Sequence, residues 1–81
     1  MILIKPLMTE KTIKFIELEN KIAFKVDRRA TKDEIKKEFE SLFNSKVKSI
    51  NTEINRNQKT AFIKLKDENA AMNVATKLGI M

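Results

Sequence analysis

The hydrophobic period of this chain switches back and forth between that of a strand and that of a helix. From Lys21 to Val26 the side chains alternate, with Ile22, Phe24 and Val26 pointing one way and Lys21, Ala23 and Lys25 the other. That is the pattern of a half-buried strand. Beyond the polar connection Asp27–Ala30 the period lengthens: Ile35, Phe39, Leu42 and Phe43 recur at helical spacing. They follow Thr31-Lys32-Asp33-Glu34, a capping box in which the Thr31 side chain accepts from the Glu34 backbone N–H and Glu34 reaches back. Val47 to Asn55 alternates again, with Ile50, Thr52 and Ile54 on one face and Ser49, Asn51 and Glu53 on the other. Val47 is out of phase with Ile50, which predicts a bulge near the start of that strand. After a turn at Asn55–Gln58, Thr60 to Lys66 places Ala61, Ile63 and Leu65 inward and Phe62, Lys64 and Lys66 outward, so these two strands form an antiparallel hairpin.

The flanks complete the pattern. Pro6 discourages helix at Lys5, so residues 2–5 read as extended. Thr9 caps a first helix running to about Glu17, with Glu10 in its first turn. Asp67 caps a last helix with Ala71, Val74, Ala75 and Leu78 on one face, and Gly79 stands at its C′ position. The order predicts one α+β domain spanning residues 1–81. Its antiparallel sheet has three strands, or four if the N-terminal segment joins, with helices packed on one face in a split βαβ, ferredoxin-like arrangement. The predicted core is Ile22, Phe24, Val26, Ile35, Phe39, Leu42, Phe43, Ile50, Ile54, Ile63, Leu65, Val74 and Leu78, with Phe15 expected to join it.

Residue types narrow the function. There is no Cys and no His, and Gly79 is the only glycine. These absences remove thiolate metal sites, the commonest general base and any Gly-rich phosphate loop. No cofactor, metal site or small-molecule substrate is expected. A chain of 81 residues buries roughly 60–65% of its unfolded surface, enough for a modest core and not for a deep catalytic cleft. The longest apolar run, Met1–Ile4, is too short for a membrane span. What remains is a basic binding module that is not an enzyme.

The charge is unevenly placed. Of 17 Lys and Arg and 11 Asp and Glu, residues 44–66 hold Lys46, Lys48, Arg56, Lys59, Lys64 and Lys66 against Glu53 alone. A second concentration, Arg28, Arg29 and Lys32, stands where the first alternating strand meets the main helix. Basic groups on an open sheet face and a hairpin tip are the footprint of a polyanion partner, with solubility the plainer alternative. Phe62 falls among lysines on the polar face. It either stacks on a nucleobase or packs a protein partner, or it lies under the aliphatic stems of Lys25 and Lys64. A single aromatic there argues against a sequence-specific single-strand reader of the four-stranded type.

At this point the sequence resembles the family of large-subunit ribosomal proteins conventionally numbered twenty-three. Pro6-Leu7-Met8-Thr9-Glu10-Lys11 is similar to the family's N-terminal motif. Asn20 to Val26, followed by Ala30 to Lys36, resembles its first strand and main helix. Val47 through Asn51-Thr52 and Lys59 to Leu65 resemble its hairpin. The order and spacing of the set carry the likeness, since no single piece is specific. Two departures stand out. The family usually has two basic residues before the Ala of the last strand, where this chain has Lys59-Thr60. The long bacterial hairpin extension is replaced by a connection of about four residues, as in archaeal members.

The resemblance implies a cytoplasmic, ribosome-bound protein. It would contact large-subunit rRNA near the nascent-peptide exit tunnel, beside a ribosomal protein of the twenty-nine family, and contribute to docking of the signal recognition particle. It implies phosphate contacts for Lys5, Lys11, Lys32 and Lys59, polar contacts to RNA for Asn51 and Thr52, and factor docking for Glu10. Hydrogen bonding within a bent strand is the other reading of Asn51 and Thr52, and a first-turn dipole partner that of Glu10. Charge placement adds Arg28, Arg29, Arg56, Phe62, Lys64 and Lys66 to the candidate rRNA-binding set. Two rivals stand beside this reading. One is an RNA- or protein-binding module outside the ribosome on the same fold. The other is an acylphosphatase-type enzyme using Arg28 or Arg29 with Asn51, disfavoured because Asp27–Ala30 contains no glycine.

Overall fold

The computed structural model describes residues 2–79. Its elements follow as β1 (Leu3–Pro6), α1 (Glu10–Glu19), β2 (Lys21–Val26), α2 (Lys32–Phe43), β3 (Val47–Asn55), β4 (Gln58–Leu65) and α3 (Ala70–Lys77). The sheet order is β1-β2-β4-β3, and every neighbouring pair is antiparallel. β2 and β3 therefore run parallel with β4 between them, which is the split βαβ unit expected from the periodicity. The N-terminal segment does join, taking the edge beside β2, where Pro6 is tolerated because an edge strand has one side without a ladder.

Local chemistry explains where the helices begin and end. Thr9 caps α1: its hydroxyl accepts from Thr12 N at 3.2 Å, and the Thr12 hydroxyl accepts from Thr9 N at 2.8 Å. Thr31 and Glu34 form the expected box on α2, at 3.2 Å and 3.0 Å. Both helices end on asparagines in the left-handed region, Asn20 at φ 54° and Asn44 at φ 52°. Asparagine tolerates that region better than other side-chain-bearing residues. The expected cap of α3 is corrected. Asp67 closes a turn through its carbonyl, which accepts from Ala70 N at 3.1 Å. The helix then starts behind Asn69, at φ 62°, without a side-chain cap. Gly79 at φ 75° follows the last turn as the C′ residue.

The core lies between the sheet and the pair α2 and α3. Ile22, Phe24, Val26, Ile35, Phe39, Ile63, Leu65 and Val74 are all buried in it, and Phe43, Ile50 and Leu78 pack partly against it. Three rings join α2 to β2: Phe39 lies 4.9 Å from Phe43 and 5.9 Å from Phe24, centroid to centroid. Three expected core residues are not there: Leu42, Ile54 and Phe15, the last of which turns to the outer face. Leu42 is 50% exposed, because Phe39 and Phe43 fill the space over Phe24 and leave the last turn of α2 at the rim. Ile54 is 58% exposed, because it faces Lys59 near the hairpin tip, where nothing covers it.

The predicted irregularity in β3 is a register shift between Val47, opposite Leu65, and Ser49, opposite Lys64. It lets Val47 reach the core while Ser49 and Asn51 stay on the outer face. Two acidic residues of α2 serve the backbone. Glu38 accepts from Leu3 N at 2.6 Å and Ile2 N at 3.4 Å, and Glu40 accepts from Val47 N at 3.0 Å. These bonds fasten both edge strands to the helix that spans them.

Candidate nucleic-acid interface

Register turns the alternation of the strands into rows on the outer face. Lys21, Lys64 and Ser49 stand side by side; then Ala23, Phe62 and Asn51; then Lys5, Lys25, Thr60 and Glu53. Cross-strand neighbours lie within side-chain reach, so the lysines of three strands form one field. Asn51 and Thr52, adjacent in sequence, are separated by the pleat: Asn51 is exposed beside Phe62, and Thr52 is half-buried on the helix side, opposite Ala61. One RNA surface cannot use both from the same face.

The outer face is less open than alternation implies. Ala23 is buried and Phe62 is only half-exposed. The cover comes from α1, which packs at the start of β2. Ile16 of this helix enters the core, and Phe15 turns to the other side and meets Phe62 edge-on, with centroids 5.9 Å apart and planes at 87°. Phe15, expected in the core, is therefore the second aromatic of the outer face. Lys11 and Lys21 each place Nζ 5.8 Å from the Phe15 centroid. Between them opens a cleft of about 250 Å³ lined by Lys11, Phe15, Lys21, Asn51, Glu53 and Phe62.

Lys59 has an internal partner. Its Nζ donates to the Ala30 carbonyl at 2.6 Å, joining β4 to the connection between β2 and α2. That bond brings together the two basic concentrations seen separately in the sequence, the hairpin and the Arg28–Lys32 corner. At the corner Asp27 shapes the turn: its carboxylate accepts from Arg29 N at 2.8 Å and its carbonyl from Ala30 N at 3.0 Å. Arg28, Arg29 and Lys32 are left exposed. The same two bonds occupy amides that an acyl-phosphate cradle would need free.

The hairpin turn is tighter than expected. Asn55 pairs with Gln58, so two residues, Arg56 at φ 50° and Asn57 at φ 65°, make the whole connection. Positive φ at both central positions is the type I′ geometry. Arginine there is strained, because its Cβ crowds the following carbonyl. Replacing Arg56 by Asn is expected to raise stability by about 0.5–1 kcal/mol while weakening polyanion binding. Urea denaturation and a salt-dependent binding titration on the same variant check both halves.

Of the remaining expected residues, Lys5, Lys11 and Lys66 are exposed, and Lys64 is half-buried in its row. Glu10 is exposed on α1 and pairs loosely with Lys14 at 3.8 Å. Glu17 lies seven residues on and shares its helix face. Glu19 turns toward the sheet and pairs with Lys21 at 3.5 Å. Among the described residues no cluster of three potential metal ligands occurs, and no helix is long and apolar enough to cross a membrane.

Fold and face together define a small basic α+β binding module. Residues 1–77 match the family model described as ribosomal protein L23. The chain is 51% identical over 76 residues to the large ribosomal subunit protein uL23 of Methanococcus vannielii, spanning 93% of this chain and 88% of that one. It is 42% identical over 80 residues to the uL23 of Methanothermobacter thermautotrophicus, spanning 98% and 93%. The chain belongs to the ribosomal protein L23 family. As a member it is a structural, non-enzymatic component of the large ribosomal subunit, ribosome-bound and associated with that subunit's rRNA.

Proposed function

We propose that the chain acts as one domain that binds large-subunit rRNA through its outer sheet face, hairpin tip and Arg28–Lys32 corner. The site lies near the nascent-peptide exit tunnel of a cytoplasmic ribosome. The observation that carries this reading is the assembly of lysines from three strands into one field on the outer face. Lys59, on the helix side of the sheet, ties the hairpin to the arginine corner through the Ala30 carbonyl. The face of α1 holding Glu10 and Glu17, with Lys14 between them paired to Glu10, carries no excess positive charge for phosphate and is turned to solvent. There the chain meets proteins: its neighbour of the twenty-nine family and, as a docking factor, the signal recognition particle.

Salt dependence tests the assignment. Each phosphate neutralised by a side chain releases counterions, so removing one contact lowers the slope of log affinity against log salt by about one. Lys64→Ala and Arg28→Ala are each expected to do so in titrations with large-subunit rRNA fragments. Lys77→Ala, on α3, is expected to leave the slope unchanged. Equal losses from all three variants would mean that only net charge matters. Glu10→Lys is expected to leave incorporation into subunits intact, since Glu10 touches neither the core nor the basic field.

A further inference from the structure

The cleft between α1 and the outer face has a chemistry that a plain phosphate-binding surface does not require. Phosphate contacts need cations and hydrogen-bond donors. Here the walls are two aromatic rings, Phe15 and Phe62, and the rim carries Asn51 and a carboxylate, Glu53. A carboxylate repels phosphate and accepts hydrogen bonds only. Rings offer apolar surface against a base, and an amide offers one acceptor and two donors. The cations, Lys11 and Lys21, stand on the Phe15 side, with Lys21 also held by Glu19. Positive charge therefore lies at one end of the cleft and base-edge groups at the other.

We propose that this cleft takes one unstacked, amino-bearing nucleobase of the bound RNA. Its ring lies against Phe15 and Phe62, its flanking phosphates lie by Lys11 and Lys21, Glu53 accepts from its N–H groups, and Asn51 completes the edge. Guanine fits best. Its N1–H and exocyclic amine are adjacent donors for one carboxylate, and its O6 accepts from the Asn51 amide. Adenine and cytosine each offer one exocyclic amine to Glu53. Uracil presents N3–H between two carbonyl oxygens, which the carboxylate repels. The sheet shows one aromatic in sequence, and the second wall is supplied by the helix. Single-strand readers stack bases on aromatic side chains; here the two rings meet edge-on, so a base lies in the corner they form rather than between them. The proposal deepens the rRNA-binding reading: it assigns a base-reading site within a surface otherwise held to phosphates.

The test uses the full chain and four pentaribonucleotides, UUGUU, UUAUU, UUCUU and UUUUU, titrated by NMR with the ring protons of Phe15 and Phe62 as reporters. The expected result is ring-proton shifts with affinity in the order G above A and C, and U weakest, G exceeding U by about tenfold, as one good base-edge contact gives. Glu53→Gln is expected to reduce that preference to under threefold while retaining binding, since the variant keeps the rings and lysines. Asn51→Ala is expected to narrow it less. A well-dispersed spectrum of each variant establishes that it folds. Equal affinity for all four oligomers, or binding that moves corner and hairpin signals but not the two rings, overturns the proposal. So does a crosslink from position 53 in assembled subunits to a protein side chain. Wild-type binding to large-subunit rRNA with the same slope as Glu53→Gln and no base preference would overturn the cleft alone and leave the ribosomal reading standing. Base preference without any affinity for large-subunit rRNA would support the cleft and overturn the proposed rRNA-binding surface.

Discussion

Replacing Phe39 by Ala is expected to destabilise the chain by about 3–5 kcal/mol, the range for a fully buried phenylalanine. Phe39 has no exposed surface and is the middle of the ring cluster with Phe24 and Phe43. Its removal opens a cavity between α2 and β2 and breaks two aromatic contacts, each worth roughly 0.5–1.5 kcal/mol beyond area. For a domain of this size the melting temperature should fall by on the order of 20 °C. Native stabilities are themselves only about 5–15 kcal/mol, so a large share of the folded margin goes. Leu42→Ala is the control within the same helix. Being half-exposed at the rim, it should change stability far less than Phe39→Ala in the same calorimetric scan. Comparable losses at both positions would contradict the packing of α2.

The contrast between Phe39 and Leu42 shows what the sequence could and could not say. Helical spacing put Ile35, Phe39, Leu42 and Phe43 on one stripe, and that stripe exists. The stripe does not say how far the sheet reaches beneath it, and at the last turn only Phe43 still finds a partner. Ile54 failed for the same reason at the other end: alternation gave its face correctly, but not that the hairpin tip outruns the helices. The order of elements, the hairpin, the irregularity after Val47, the Thr9 cap and the Thr31–Glu34 capping box were legible because each depends on local chemistry or strict period; the reciprocal bond from Thr12 back to Thr9 was not. Nor was the cleft. Phe62 was visible as an outlier among lysines. Its partner Phe15 belongs to a different element, and nothing local to Glu10–Glu19 says that one side of α1 wraps the sheet edge onto the outer face. The internal roles of Glu38, Glu40 and Lys59 were hidden in the same way, since charged residues at half-buried positions look like surface until their backbone partners are placed. A clue was available in the asparagines: with a single glycine, this chain ends α1 and α2, completes the hairpin turn and starts α3 on Asn20, Asn44, Asn57 and Asn69, all at positive φ.

Asn20 is the residue of that set with the most at stake, and Asn20→Ala is expected to cost about 2–4 kcal/mol. Its side-chain amide donates to the Leu65 carbonyl at 3.1 Å and to the Asp67 carbonyl at 2.7 Å, and its Oδ1 accepts from Ala71 N at 2.9 Å. Its own carbonyl accepts from Leu65 N at 3.1 Å. One side chain thus joins the end of α1, the end of β4 and the start of α3, where Asn69 supplies no side-chain cap. Three lost hydrogen bonds at about 1 kcal/mol each, together with an alanine held at positive φ, give the expected range. Asn20→Gly separates the two contributions. It relieves the backbone strain and leaves the three bonds unmade, so it should recover about 1 kcal/mol and no more. A glycine variant as stable as the parent would show that only the left-handed backbone matters. Hydrogen exchange should also find the damage localised: faster exchange at Ala71 and through the first turn of α3, with α2 protected as before. Because Asn20 directly precedes Lys21 and fixes where α1 leaves the sheet, loosening it also frees Phe15 from Phe62. The ring-to-ring contact across the cleft should weaken in Asn20→Ala before the core around Phe39 gives way.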